Sequence, residues 1–97
     1  VTVGISYQDD LRKAKRIMDE TLAAIPERLP DSEVDVFVEA LGESAVILKG
    51  WIWSSSKDYL PAKWAATENV KLAFDEAGIH IPFPQMDVHI VEGEQQQ

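Results

Sequence analysis

Two periodicities alternate along the chain, and each indicates one kind of element. Apolar and polar residues alternate singly over residues 1–7, which is the pattern of a half-buried strand. From Asp9 to Ile25 the apolar positions instead fall on one helical stripe with charged residues opposite, and Pro26 ends the run. Asp9 and Asp10 are both suited to the start of this helix, through capping and the helix dipole. The first part of the chain therefore predicts a strand followed by an amphipathic helix.

The single alternation returns in residues 34–41 and 45–53, which flank the short turn Gly42-Glu43-Ser44. This arrangement predicts an antiparallel hairpin with two fairly apolar faces. A second helix is expected after Ser54-Ser55-Ser56, which is suited to cap it, and Gly78 is suited to end it. Its buried stripe is predicted to comprise Leu60, Trp64, Thr67, Val70, Phe74 and Ala77.

The end of the chain is divided by prolines. We expect a ferredoxin-like α/β domain over residues 1–81, a Pro-rich spacer over 82–85, a terminal strand over 86–91 and a polar tail over 92–97. The resulting order is strand, helix, strand, strand, helix, strand. This α+β order is that of a ferredoxin-like sandwich, in which two helices cover one face of a mainly antiparallel sheet. The residues expected to join the helices to the sheet are Ile17, Met18, Leu22, Trp64, Val70 and Phe74.

Composition excludes several classes of protein. The 97 residues hold seventeen acidic and nine basic side chains, a formal charge of −8, so binding to phosphate backbones is disfavoured and no nucleic-acid partner is expected. The absence of cysteine excludes disulfide frameworks and thiolate chemistry. Apolar stretches are far shorter than the roughly 20 residues of a spanning helix. A soluble chain is therefore expected.

Catalytic chemistry is not indicated either. The glycines are isolated, so no phosphate-binding loop is present, and His80 and His89 lack the neighbouring ligands of a metal site. We expect no catalytic residues, no metal and no cofactor. Trp51 and Trp53 could stack a sugar or a base, but burial under a helix or against a neighbouring subunit is favoured, because large aromatic residues dominate core and interface burial.

One segment carries a family resemblance. Phe74-Asp75-Glu76-Ala77-Gly78-Ile79, followed by Pro82-Phe83-Pro84-Gln85 and a short strand, resembles the C-terminal signature of the small-conductance mechanosensitive channels of the MscS type. Residues 3–7, 39–46 and 51–53 resemble the family's first strand and its hairpin. The chain is therefore similar to the C-terminal α/β domain of such a channel, without its membrane helices and its middle β-domain.

The resemblance implies a function that is not enzymatic. In that family, copies of this domain build a hollow vestibule below the pore, with openings for ions and small osmolytes. The implied assembly is a homo-oligomer, a heptamer in well-known members, on the cytoplasmic side of the bacterial inner membrane. The channel is expected to release its permeants on hypoosmotic shock.

Two groups of residues are expected to serve that function. The resemblance places the last strand in a barrel between subunits, so the oligomerisation residues are expected to be Pro82, Phe83, Pro84, Gln85, Met86, Val88 and Ile90, with Asp87 and His89 pointing outward. A ring of acidic subunits implies a negative vestibule wall, and its candidate charges are Glu39, Glu43, Asp75 and Glu76.

Two other functions share the predicted order of elements. A stand-alone ligand-binding regulatory module of the ACT type is the main alternative, and a dimer that tightens with an amino acid would favour it. A small hydrolase of the acylphosphatase type needs a phosphate-binding arginine and an amide partner. The available residues, Arg12, Arg16, Arg28 and Asn69, lie in or near helices, so this alternative is poor.

Overall fold

A computed structural model describes residues 1–82 of the chain. The elements follow in the order β1 (Thr2–Ile5), α1 (Leu11–Ala23), β2 (Asp35–Leu41), β3 (Val46–Trp51) and α2 (Tyr59–Ala77), with a single 3₁₀ turn at Ser56–Asp58 before α2. The predicted α+β class and the order of these five elements are confirmed. The predicted strand over 86–91 and the polar tail lie outside the described residues.

The sheet is antiparallel, and β3 is its central strand, since the strand order is β1-β3-β2. Thr2 lies opposite Lys49 and Ile5 opposite Val46 on one side of β3. On the other side, β2 and β3 form the predicted hairpin. This is the strand order of a ferredoxin-like sheet for the three strands that the structure describes.

A β-bulge interrupts the hairpin at Glu39. Val38 lies opposite Leu48 and Ala40 lies opposite Ile47, so Glu39 is an extra residue on β2. Simple alternation predicts Ala40 on the same face as Val36 and Val38, and this is wrong. The extra residue moves each later side chain of β2 to the opposite face of the sheet, because side chains in a strand alternate with a period of two.

Helix α1 begins where its sequence predicts. The Asp10 carboxylate accepts a hydrogen bond of 3.1 Å from the Lys13 backbone N–H, which caps the first turn. Ala14, Met18 and Leu22 are fully buried on the inward stripe. Met18 and Leu22 pack over Gly50 of β3, where an added Cβ would lie 2.5 Å from Leu22 Cδ1 and 2.9 Å from Met18 Cε. The glycine therefore allows α1 to lie close to the sheet.

Helix α2 differs from its prediction on the inward face. Leu60 is 49% exposed and Trp64 is 62% exposed, so neither contributes to the core. The buried row follows a four-residue spacing through Ala62, Ala66, Val70 and Phe74. The prediction followed side-chain size, whereas the small side chains of Ala62 and Ala66 are 3% and 1% exposed and belong to the core. The predicted serine cap is also wrong, since Asp58 directly precedes the helix.

The core lies between the helices and one sheet face. Its fully buried large side chains are Phe74, Ile5, Met18, Leu22, Leu48 and Val70. Trp51 points to the opposite face, where its ring meets Phe37 edge-on with 5.7 Å between centroids. Trp51 is 51% exposed and Trp53 is 60% exposed, so burial under a helix of the described chain is wrong for both. Burial against a neighbouring subunit stays a prediction.

Candidate functional site

The segment that leads out of α2 is fixed by a C-terminal motif. Gly78 has φ of 76°, a left-handed conformation that glycine adopts without strain. The Gly78 N–H donates to the Asp75 carbonyl at 3.2 Å, and the Ile79 N–H donates to the Phe74 carbonyl at 2.9 Å. These two bonds form a Schellman motif, and Ile79 is buried in the core next to it. The chain therefore turns back over the core as the helix ends.

Three residues then hold the departing chain, and we call Ser6, Asp9 and His80 the exit clamp. The Ser6 N–H donates to the His80 carbonyl at 3.0 Å. The His80 N–H donates to Asp9 Oδ2 at 2.6 Å, and His80 Nδ1 lies 3.1 Å from Asp9 Oδ1. The Asp9 side chain is only 10% exposed. The clamp ties the β1–α1 loop to the segment that leads to Pro82.

Lys13 adds a contact to the same end of α2. Its Nζ donates to the Ala77 carbonyl at 3.2 Å. This bond satisfies one of the carbonyls that a helix end leaves without an internal partner, and a cation there is favourable for the helix dipole. The start of α1 and the end of α2 are thereby joined.

The hairpin turn lies at the same end of the domain. The Tyr7 hydroxyl donates to the Gly42 carbonyl, which links the β1–α1 loop to that turn. Pro82, two residues after His80, is half-buried and is the one predicted oligomerisation residue that the structure describes. The other six lie outside the described residues, namely Phe83, Pro84, Gln85, Met86, Val88 and Ile90.

The four predicted vestibule charges have different surroundings. Glu39 Oε2 lies 3.3 Å from Lys49 Nζ, and Asp75 Oδ2 lies 2.6 Å from Lys71 Nζ. Glu43, in the hairpin turn, and Glu76, near the end of α2, are exposed and form no ion pair with any residue in 1–82. Two of the four negative charges are therefore locally compensated by lysines, and two are not.

The described part of the chain was also searched for a metal site and for a membrane-spanning helix. No group of three or more His, Asp and Glu residues is placed to hold a metal ion within residues 1–82. Over the same residues, no helix is both long enough and apolar enough to span a bilayer. The residues with distinctive contacts are those of the exit clamp.

The exit clamp is the part of the site that sequence reasoning missed. Sequence analysis assigned both Asp9 and Asp10 to the start of α1, whereas Asp10 alone caps the helix. Asp9 instead binds a residue 71 positions away. The one available signal was the doubled aspartate, since a single cap needs only one carboxylate.

Comparison with known proteins identifies the family. Residues 1–81 match the family described as mechanosensitive ion channel MscS, C-terminal. The chain belongs to the MscS family of mechanosensitive ion channels. This membership confirms the resemblance on the Phe74–Ile79 segment, and it favours a channel domain over a regulatory module of the ACT type.

Relatives and a solved structure agree with the MscS assignment. A small-conductance mechanosensitive channel of Edwardsiella ictaluri is 33% identical over 92 residues, which are 95% of this chain and 32% of that protein. An uncharacterized MscS family protein of Archaeoglobus fulgidus is 37% identical over 86% of this chain and 29% of its own length. The chain spans about a third of the length of these relatives.

The fold is shared with a solved member. The closed-state crystal structure of Helicobacter pylori MscS superposes with a TM-score of 0.79 over 95% of this chain and 37% of that chain, at 18% identity. At this level of identity the likeness establishes the fold. The MscS family thus supplies both the sequence and the structural relatives of the domain.

Proposed function

We propose that this domain is a non-catalytic wall and assembly element of the cytoplasmic vestibule of a mechanosensitive channel. The channel releases ions and small osmolytes on hypoosmotic shock, and its vestibule lies on the cytoplasmic side of a bacterial inner membrane. Family membership supports the channel class. The exit clamp is the observation that carries the assembly role, because it sets where the chain leaves the domain toward other subunits.

Assembly is assigned to the chain that follows the clamp. Pro82 and Pro84 have no amide donor and favour an extended backbone, so they suit a spacer better than a ladder strand. The strand over 86–91 then pairs with the same strand of other copies in a narrow parallel barrel. In this proposal Met86, Val88 and Ile90 fill the interior, because a barrel of about seven strands is only wide enough for side chains. The proposed ring is a homo-heptamer.

Permeation is influenced by the acidic surface in this proposal. The hairpin turn and the end of α2 share one end of the domain, so Glu43, Asp75 and Glu76 lie toward the chain exit. Glu39 lies within β2, at the bulge. Repeated around a ring, these carboxylates raise the local concentration of cations. Lys49 and Lys71 reduce the local field at two of the four positions.

The assembly role is tested in the full-length channel with Val88→Asp. A charge in an apolar barrel is costly, so we expect the purified oligomer to dissociate to smaller species by native mass spectrometry. Cells that lack their own mechanosensitive channels and express Val88→Asp should survive hypoosmotic shock less often than cells that express the unaltered channel. Asp87→Asn, at an outward position, is the matched control and should leave the oligomer intact. An unchanged oligomer in Val88→Asp would contradict the inward assignment.

A further inference from the structure

The exit clamp contains a histidine whose two ring nitrogens have different roles. His80 Nδ1 lies 3.1 Å from Asp9 Oδ1. An ionised carboxylate accepts hydrogen bonds but has no proton to donate, so Nδ1 must carry the proton in this contact. In the neutral ring, Nε2 is therefore the nitrogen without a proton. Because the His80 side chain is 77% exposed, a proton from the solvent can reach the ring.

The carboxylate of Asp9, in contrast, is largely removed from water. The Asp9 side chain is 10% exposed, and its second oxygen, Oδ2, accepts the His80 backbone N–H at 2.6 Å. Both carboxylate oxygens thus bind the same residue. Charges attract each other more strongly where water is partly excluded. A positive charge on the His80 ring would therefore face a negative charge that the solvent screens only in part.

Other charged and titratable groups lie on the elements that meet at the clamp. They are Tyr7 of the β1–α1 loop, Asp10, Arg12 and Lys13 at the start of α1, Glu43 of the hairpin turn, and Asp75 and Glu76 at the end of α2. Among residues 1–82, only Asp9 forms an ion pair or hydrogen bond with the His80 ring, and no lysine or arginine pairs with Asp9. The two side chains are therefore each other's partners.

Proton uptake leaves the geometry of the clamp in place. Imidazole is the side chain whose charge ordinarily changes between about pH 5 and about pH 8. The proton adds at Nε2, so both hydrogen bonds from His80 to Asp9 are kept. The contact at Nδ1 then joins two charged groups, and such hydrogen bonds are stronger than those with a neutral donor. The clamp therefore holds more tightly when the ring is charged.

We propose that the exit clamp is a pH-sensitive latch, in which protonation of His80 strengthens the attachment to Asp9 and fixes residues 79–82 more firmly to the β1–α1 loop. The Ser6 N–H, which donates to the His80 carbonyl, extends the effect to the end of β1. Acidification fixes the exit of the chain, and a rise in pH loosens it. The latch deepens the assembly role proposed above and rests on that role for its consequence in the channel, since the segment it holds leads toward the proposed strand over 86–91.

A double-mutant cycle on the 97-residue chain tests the latch. Asp9→Asn removes the charge and His80→Gln removes the titrating ring, and urea denaturation measures the coupling between the two positions at about pH 5.5 and about pH 8. We expect the coupling, as a factor in the unfolding equilibrium constant, to be about two- to fivefold larger at the lower pH, as for an exposed ion pair. The titration of His89 and of the Val1 amino group cancels, because all four chains contain both.

The matched control replaces the neighbouring carboxylate. Asp10→Asn combined with His80→Gln should show no coupling that changes with pH, because Asp10 binds the Lys13 N–H at the start of α1. A second measurement needs no variant. At about pH 8, nitrogen NMR shifts of the His80 ring should identify the form that carries its proton on Nδ1.

Two outcomes would overturn the proposal. A coupling between positions 9 and 80 that is equal or smaller at about pH 5.5 would reject the latch. A neutral ring with its proton on Nε2 would reject the contact on which the latch depends. Neither outcome affects the assembly role, which Val88→Asp tests separately, and an intact oligomer in Val88→Asp would leave the latch standing.

Discussion

Phe74 has the largest fully buried side chain in the described part of the chain. It is fully buried, and its carbonyl also accepts the Ile79 N–H at the end of α2. Phe74→Ala is expected to lower the free energy of unfolding by about 3–5 kcal/mol, because truncation of a buried Phe leaves a cavity. Urea denaturation measures this loss. Leu72→Ala, on an exposed position of the same helix, should change it by less than about 0.5 kcal/mol.

The predicted helix register would be contradicted by a small effect at Phe74. A loss below about 1 kcal/mol is typical of surface substitutions and would place the ring outside the core.

Single residues also show where sequence reasoning reaches its limit. The burial of Phe74, Met18 and Leu22 was predicted correctly, since large apolar side chains on one helical stripe are a reliable sign of burial. Gly50 lies within the predicted strand over 45–53, but its packing role was not visible in the sequence. Only the packed helix shows that Leu22 and Met18 occupy the space a Cβ would need.

At the scale of elements, the exit clamp makes a local prediction. Asp9→Ala removes the acceptor of the His80 N–H and should lower the free energy of unfolding by about 1–3 kcal/mol, as for hydrogen bonds to charged groups. Amide hydrogen exchange should become faster at His80 and Ser6. Asp10→Ala is the control, since loss of a helix cap costs about 1 kcal/mol but leaves the clamp intact.

The clamp would be rejected as a fixed contact by one pattern of exchange. If His80 exchanges equally fast in Asp9→Ala, in Asp10→Ala and in the unaltered chain, Asp9 does not hold it.

Elements were predictable to different degrees. Helix α1 was predicted closely because its cap and its charged and apolar faces agree with one another. The stripe of α2 was partly wrong because alanine carries little signal of burial, and the face of β2 reversed because no local pattern marks the bulge at Glu39. The exit clamp joins residues far apart in sequence, and the periodicity of apolar residues cannot predict such a long-range contact.

At the scale of the whole channel, the acidic surface predicts a bias toward cations. Changing Glu39, Glu43, Asp75 and Glu76 to amides should shift the reversal potential in a salt gradient toward anion permeation. The shift should be larger at about 0.01 M salt than at about 0.1 M, since the Debye length falls from about 30 Å to about 10 Å. Exchanging Glu43 and Glu76 for aspartate keeps the charge and should have no effect. No shift at low salt would mean that the pore alone determines selectivity.

The stability of the 97-residue chain with a free amino group should depend on pH. Burial lowers the pKa of the Val1 amino group from its ordinary value of 8.0, so the unfolded chain binds more protons just below that pH. Stability should therefore rise as pH increases from the lowered pKa to 8.0, and level off above it. Urea midpoints measured across this range test the sign.

An acetylated amino group is the control for this pH dependence. The acetylated chain should show no rise that originates at Val1, because the titrating group is absent. Identical pH profiles for the two chains would show that the amino group does not determine the effect.

The strand β1 joins the two ends of the domain, since Val1 is hydrogen-bonded to Gly50 at one end and Ser6 belongs to the exit clamp at the other. A force that separated these ends would run along the strand axis. It would slide β1 past β3, so that the ladder bonds share the load and must break together rather than one after another. The domain should therefore resist a force along its length through shear of the β1–β3 hydrogen bonds, and its helices need not extend.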